Sequence, residues 1–589
     1  MPASLRRSRP LLLLSIAALV SGPAAPLASR APSGSTVTAP ESPVRCILGE
    51  TGYQPRVPIA VPPPPPVSYE VAAVQEEAAQ DIVVTSQRAV PSVQSSPISV
   101  ARAEQRAVKA QAAYPVAVAE DRERYRGKNV SGIYYVARQP VSTFSIDVDT
   151  GSYANVRRFL TQGRTPPEAA VRTEEMLNYF RYDYPLPADR SRPFSVTTDM
   201  AMTPWNPDTR LLRIGIKGFD IPREQRPAAN LVFLVDVSGS MDEPDKLPLV
   251  KSALAMLADK LTPRDKVSIV VYAGAAGIVL EPTSNANYVK AALDCLQAGG
   301  STAGGQGMEL AYATARAHFI PGGVNRVIMA TDGDFNVGIS SDEGIEAIVK
   351  KNRESGITLT TLGFGQGNYN EAMMEHVADV GNGNYAYIDS ALEAQKVLDE
   401  EMAATLFTIA KDVKIQIEFN PALVREYRLI GYENRALAEE DFDNDKVDAG
   451  DIGAGHQVTA LYELVPAGAK GWLPLHHFDA NRPGTASALG GGDLAWLKLR
   501  YKLPDGDRSM LIERPVPAAL AASAQAPRGD LAFASAVAAF GQKLRGDKYL
   551  GAFSYADIRR LAGDQHGYLR EEFLKLTGLA GKGQVASAE

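Results

Sequence analysis

From Asn230 onward the apolar positions switch between two rhythms. Leu231–Val235 is a continuous apolar run, the mark of a strand buried on both faces. Val250, Leu254, Leu257 and Leu261 then recur at helical spacing. The pair of signals repeats. Buried strands are predicted over Val267–Tyr272, Arg326–Ala330, Ile357–Gly363 and Tyr385–Ile388. Helices are predicted around Tyr288–Leu296, Met308–Phe319, Ile345–Lys350 and Leu392–Leu406. Repeated β-α units of this kind predict a mostly parallel sheet covered by helices.

Outside this stretch the period falls to two. Phe144, Ile146 and Val148 alternate with Ser145, Asp147 and Asp149, and a helix through Tyr153–Leu160 follows. Leu212, Ile214 and Ile216 alternate with Arg213, Gly215 and Lys217. Beyond residue 410, alternation returns at Val413–Phe419, Val458–Leu464 and Leu497–Leu503, ahead of helical stretches at Leu531–Leu544 and Tyr555–Leu561. The fold class expected is therefore α/β, a doubly wound and mostly parallel sheet flanked by a β-rich domain with terminal helices. If strands before and after the α/β unit share one sheet, that unit is an insertion.

At 589 residues the chain exceeds a single core. The predicted division is a signal peptide at 1–28, a Pro/Ala/Ser-rich tether at 29–135 and an N-terminal flanking region at 136–224. The α/β domain follows at 225–408, then a C-terminal β-rich flanking domain with helices at 409–580. Arg6, Arg7 and Arg9, the short apolar run Leu11–Val20, and Ala25 and Ala28 as cleavage positions fit a secretory leader. The expected location is the periplasm or cell envelope. The tether, with Pro62–Pro66 and few aromatics, buries too little apolar surface to offset chain entropy. The net charge of −7 and the lack of a basic block argue against a nucleic-acid partner. Two cysteines, Cys46 and Cys295, do not make a disulfide framework. Cys295 is expected as a small buried apolar residue rather than half of a bridge.

The candidate chemistry lies in three loops. Asp236, Ser238 and Ser240 follow the first buried strand in the run LVFLVDVSGSM. Gly299-Gly300-Ser301-Thr302 opens a helix, and Thr331-Asp332-Gly333-Asp334 ends the strand Arg326–Ala330. In open α/β sheets, ligands bind outside the carboxyl ends of strands. Hydroxyls and carboxylates are hard donors that suit Mg²⁺ or Mn²⁺, and no His or Cys among them points to zinc. The spacing Asp-x-Ser-x-Ser lets alternate residues of a turning loop face one point.

These three segments, in this order, resemble the metal-ion-dependent adhesion site of the von Willebrand factor A family. The resemblance implies direct coordination by Ser238 and Ser240, coordination by Thr302 in some states, and action through water for Asp236 and Asp332. It implies a doubly wound parallel sheet with one antiparallel edge strand. STFSIDVDTGSYANVRRFL and PWNPDTRLLRIGIKG resemble the N-terminal region of a bacterial family of A-domain proteins. DFDNDKVDAGDIGAGHQVTALYEL and DLAFASAVAAFGQKLRG resemble its C-terminal region. The function expected is metal-dependent, adhesion-type binding of a protein that presents Asp or Glu. Alternatives are an envelope protein with metal-stapled loops and a hydrolase.

The chain carries three weaker signals. Asp149-Thr150-Gly151-Ser152 mimics an aspartic-protease loop, but no second such triplet supplies the partner carboxylate. Asp441–Asp445 begins like a calcium loop, yet Lys446 stands where glycine belongs. Asp81–Thr85 resembles the segment by which outer-membrane receptors engage the TonB energy-coupling protein. An isolated apolar patch is the preferred reading, because motifs this short match by chance. With no nucleophile or base placed beside the metal loops, the chain is expected not to be an enzyme.

Overall fold

The computed structural model describes residues 122–125, 127, 129–146, 149–300, 304–333, 342–401, 406–447, 449–474, 492–504 and 506–586. The expected signal segment, the Asp81–Thr85 segment, Cys46, Thr302 and Asp334 lie outside them.

Strands are numbered along the chain. Two short or early ones, β1 (Tyr134–Tyr135) and β2 (Val141–Ser145), precede the long pair β3 (Phe194–Thr203) and β4 (Asn206–Gly218). The α/β unit contributes β5 (Ala229–Asp236), β6 (Lys266–Tyr272), β7 (Ala276–Thr283), β8 (Val324–Thr331), β9 (Thr358–Phe364) and β10 (Tyr385–Ile388). Beyond it come β11 (Thr408–Phe419), β12 (Val424–Ile430), β13 (Ala436–Leu437), β14 (Ile452–Gly453), β15 (Gln457–Pro466), β16 (Asp493–Lys502) and β17 (Ser509–Pro517).

The α/β unit is a six-stranded sheet in the order β10-β9-β8-β5-β6-β7. Neighbours from β10 to β6 run parallel, and β7 pairs antiparallel with β6 at the edge. This is the doubly wound, mostly parallel sheet expected. Every residue of β5 is buried, as its unbroken apolar run requires. One core lies on each face, around Phe233, Leu254 and Ile328 on one side and Val232, Met308 and Met329 on the other.

The flanks form two antiparallel sheets, β1-β12-β15-β4-β3 and β13-β2-β11-β16-β17. Phe144, Ile216, Ile415, Tyr462 and Leu497 fill the core shared by these sheets. Ile214 stands opposite Ala460 where β4 pairs with β15, and Phe144 stands opposite Ile415 where β2 pairs with β11. Strands from before and after the α/β unit thus share both sheets. The two flanking regions separated in the sequence form one β body, and the α/β unit is inserted between β4 and β11. Helices Thr173–Asn178, Gly529–Leu544, Tyr555–Ala562 and Tyr568–Ala586 share a third core with Leu211 of β4 and Leu461 of β15. Phe180, Phe533 and Phe573 meet edge to face in it.

Four expectations are corrected. Among the described residues, the predicted helix Leu392–Leu406 is α-helical over Ala391–Gln395, takes a π form over Lys396–Glu401 and is helical again at Leu406. The tether does not extend to residue 135. Arg122 N donates to Gly367 O at 2.8 Å and Arg124 N to Tyr369 O at 2.9 Å, while Tyr134–Tyr135 pairs with β12. The strand expected through Phe144 spans Val141–Ser145 and leaves Ile146 out of it, while Val148 lies outside the described residues. Cys295 is disulfide-bonded rather than a lone buried thiol.

Helix Gly151–Thr161 carries the β body onto the α/β unit, lying against the edge strand β10. The approach is close enough that a Cβ on Gly151 would come within 2.3 Å of the Tyr385 ring.

Candidate metal centre

Parallel pairing builds the floor of the site. Val235 of β5 stands opposite Ala330 of β8, so both strands end side by side and Asp236 meets Thr331. Thr331 Oγ1 donates to Asp236 Oδ2 at 3.0 Å. The other oxygen, Oδ1, accepts from Ser238 N at 2.9 Å, which turns the chain back across the strand end. Two backbone bonds then tie this turn to the second loop. Gly239 N donates to Gly300 O at 3.0 Å, and Gly299 N donates to Val237 O at 2.8 Å. The turn sets Ser238 Oγ and Ser240 Oγ 3.0 Å apart.

Depth is graded. Asp236 and Asp332 are wholly buried and Ser238 nearly so, whereas Ser240 is exposed at the rim. Burial pushes the Asp236 carboxyl up to about 6. The Ser238 amide and hydroxyl pull it down, and the charge of Asp332 raises it further. Two carboxylates close enough to repel, beside two hydroxyls, make an all-oxygen hard donor set that fits Mg²⁺ or Mn²⁺. The structure thus brings together Asp236, Ser238, Ser240 and Asp332 from two strand-end segments, while Thr302 lies outside the described residues.

Sequence reasoning missed Lys246. Its Nζ donates to Asp332 Oδ2 at 3.0 Å and to Asn368 Oδ1 at 3.3 Å. The aliphatic stem is buried against Gly365, where a Cβ would sit 2.4 Å from Lys246 Cε. Gly365 also has φ +71°, so two constraints select glycine there. Gly333 has φ +90°, and a Cβ would meet Asn370 N at 2.5 Å. The loop Gly365–Asn370 therefore backs both Lys246 and the Asp332 turn. A buried lysine six positions beyond Ser240 has no periodic signature that could have announced it.

A second set of carboxylates, Asp149, Glu175 and Glu375, converges under helix Gly151–Thr161, with oxygens within 4.8 Å of one another. Guanidinium groups occupy it. Arg172 Nη1 lies 2.8 Å from Glu371 Oε2 and Arg172 also pairs with Glu175. Arg435 Nη2 lies 2.9 Å from Asp149 Oδ2. Asp149 Oδ1 accepts from Tyr385 N at 2.8 Å. The residue that mimicked a protease loop thus anchors the inserted sheet.

Among known protein families, the model described as von Willebrand factor type A domain matches residues 230–401. One described as von Willebrand factor matches 119–213, and one described as "Uncharacterized protein YfbK, C-terminal" matches 404–582. The chain is 50% identical over 471 residues to "Uncharacterized protein YfbK" of Escherichia coli (strain K12), covering 78% of this chain and 81% of that one. It is 29% identical over 201 residues to a "UPF0353 protein" of Mycolicibacterium vanbaalenii, covering 30% of this chain and 59% of that one. A solved structure, "von Willebrand factor type A from Catenulispora acidiphila", aligns with 68% of this chain and 91% of its own at 16% identity and a TM-score of 0.37. Type A domains generally mediate protein binding and often hold a divalent metal at their adhesion site.

Proposed function

The chain belongs to the YfbK family, and on that premise we propose that its inserted type A domain is a metal-dependent grip for an acidic side chain of a partner protein in the bacterial envelope. The observation that carries this reading is the graded oxygen set: Asp236 and Asp332 buried, Ser238 above them, Ser240 at the surface. Asp236, Ser238, Ser240, Thr302 and Asp332 would hold Mg²⁺ or Mn²⁺. A bound ion would supply a Lewis-acid position for one more anionic oxygen. The protein's own residues keep that position hungry. The serine hydroxyls are neutral, and Lys246 already offsets the charge of Asp332. The best complement is a carboxylate from outside.

Stapling of the loops by metal is the second reading. The Gly239–Gly300 and Gly299–Val237 backbone bonds favour the grip, because they tie the loops together without help from an ion. We read the chain as a binding protein and not an enzyme. Among the described residues no nucleophile–base pair stands beside Asp236.

Export is part of the proposal. The basic, apolar and small-residue order of residues 1–28 supports it, as does a disulfide at Cys295, since such bonds persist in oxidising compartments. The test is capture of envelope proteins by the full chain with Mg²⁺, then with chelator, repeated with Asp236→Ala and Ser238→Ala. Partners retained by the double variant in chelator would refute the grip.

A further inference from the structure

Arg326 is a buried cation that forms no close ion pair among the described residues, Asp451 acting on it only as a nearby charge. It stands near the start of β8 and is 3% exposed. Its Nε donates to Thr358 Oγ1 at 2.8 Å and its Nη1 to Thr360 Oγ1 at 3.2 Å, both neutral hydroxyls of β9. Among the described residues it makes no ion pair. Comparably buried arginines do. Arg157 pairs with Glu393, Arg158 with Glu123, Arg172 with Glu175, Arg213 with Asp199 and Arg428 with Glu463. Burying an unmatched charge is costly, so one that persists calls for an anion. Desolvation pushes the Arg326 guanidinium down to about 10, and the more distant Asp451 offsets only part of this. It remains charged at neutral pH.

Arg326 lines a polar cleft of about 420 Å³ between the type A domain and the β body. The cleft lies at the opposite end of β8 from the metal rim, roughly 20 Å from Asp332 at ~3.3 Å per residue. Lys350 and Arg353 reach it from helix Asp342–Glu354, and Arg435 from the β body. Asn382, Asn384 and Asn434 add amide groups. The acids along its wall are already engaged. Glu346 meets His376 at 3.2 Å, Asp379 meets Arg435 at 2.8 Å, and Asp451 accepts from Asp412 N at 3.2 Å. The two threonines hold the Arg326 fork in place, which is the preorganisation that recognition of an oxyanion needs. A volume of this order suits a small molecule.

We propose that this cleft binds a small organic anion through a carboxylate or phosphate group, with Arg326 as the buried anchor and Lys350 at the mouth. Binding there would bridge the inserted domain and the body that carries it.

The test is thermal unfolding of the full chain in chelator, which separates this site from the metal rim. Inorganic phosphate and succinate are each added to about 10 mM, a level that detects millimolar binding, against chloride at matched ionic strength. The expected result is a rise of at least about 2 °C with one or both. Phosphate alone identifies a phosphoryl ligand, and succinate alone a carboxylate one. No rise beyond chloride overturns the proposal. Arg326→Met should unfold no earlier than the parent without ligand, because it removes an unmatched buried charge, and should lose the ligand-induced rise. A rise that survives Arg326→Met overturns the proposal. Should that variant fail to fold, Lys350→Gln on the exposed helix face replaces it. It should weaken binding roughly 3–10-fold, the loss of one charge contact, and an unchanged response would equally overturn the site.

Discussion

The metal rim and the seam under helix Gly151–Thr161 both gather more buried carboxylates than cations, yet they resolve the excess differently. At the rim, the Lys246 ammonium pairs with Asp332 while Asp236 accepts from Ser238 N and Thr331 Oγ1, and Ser240 opens to solvent. At the seam, Asp149, Glu175, Glu371 and Glu375 face Arg172 and Arg435, with all four acids at most 7% exposed in their side chains. A rim open to water can recruit a dissolved cation. A closed seam must keep a proton instead, and burial raises Glu371 to about 8, against the opposing pull of Arg172. Accessibility, more than the number of acids, separates the proposed metal site from the structural clamp.

The largest test of that contrast removes a seam cation. Arg172→Met leaves Glu175, Glu371 and Glu375 without their common partner, and urea unfolding should show a loss of about 3–5 kcal/mol. A loss below about 1 kcal/mol, the worth of an exposed pair, would mean the seam is wetter than described. Next comes the rim. Asp236→Ala should weaken Mn²⁺ uptake by roughly 10–100-fold in calorimetry, whereas Glu375→Gln at the seam should leave uptake unchanged. Equal effects at both places would erase the distinction.

Lys246→Met sharpens the rim further. Without the ammonium, Asp332 regains its full charge, and Mn²⁺ should bind several-fold tighter, an effect of about 1 kcal/mol at an effective dielectric near that of a protein surface. Weaker binding would show that Lys246 positions the site rather than opposing the cation.

The smallest effect is in the pH profile. Folded Glu371 holds its proton up to about 8, while the unfolded group releases it near 4.5. Between those values the folded state binds more protons, so this group's contribution to stability declines as pH rises. Glu371→Gln should remove that decline. The difference between the two unfolding curves at pH 5 and pH 8 isolates the group, and parallel curves would place the retained proton elsewhere.

The sheet of the type A domain was legible because buried parallel strands leave unbroken apolar runs, as in Leu231–Val235. Asp236, Ser238, Ser240 and Asp332 were legible because loop motifs keep their spacing. The β body was harder. Strand β12 escaped notice because Arg428 is buried within it, held by Glu463 and Asp547, and so breaks the alternation. Edge strands β7 and β17 carry mixed patterns with little burial contrast. The seam left no trace at all. Arg172 and Glu371 lie 199 positions apart, and only the tertiary fold brings them within reach.

The strand-like stretch at Arg122–Tyr125 has a mechanical meaning. It hydrogen-bonds to Gly367 and Tyr369, and Asn368 between them holds Lys246 beside Asp332. Among the described residues, tension entering at Arg122 therefore meets the loop that backs Lys246 and Asp332. Arg122, the Gly365–Asn370 loop and the Asp332 turn thus lie on one short mechanical path.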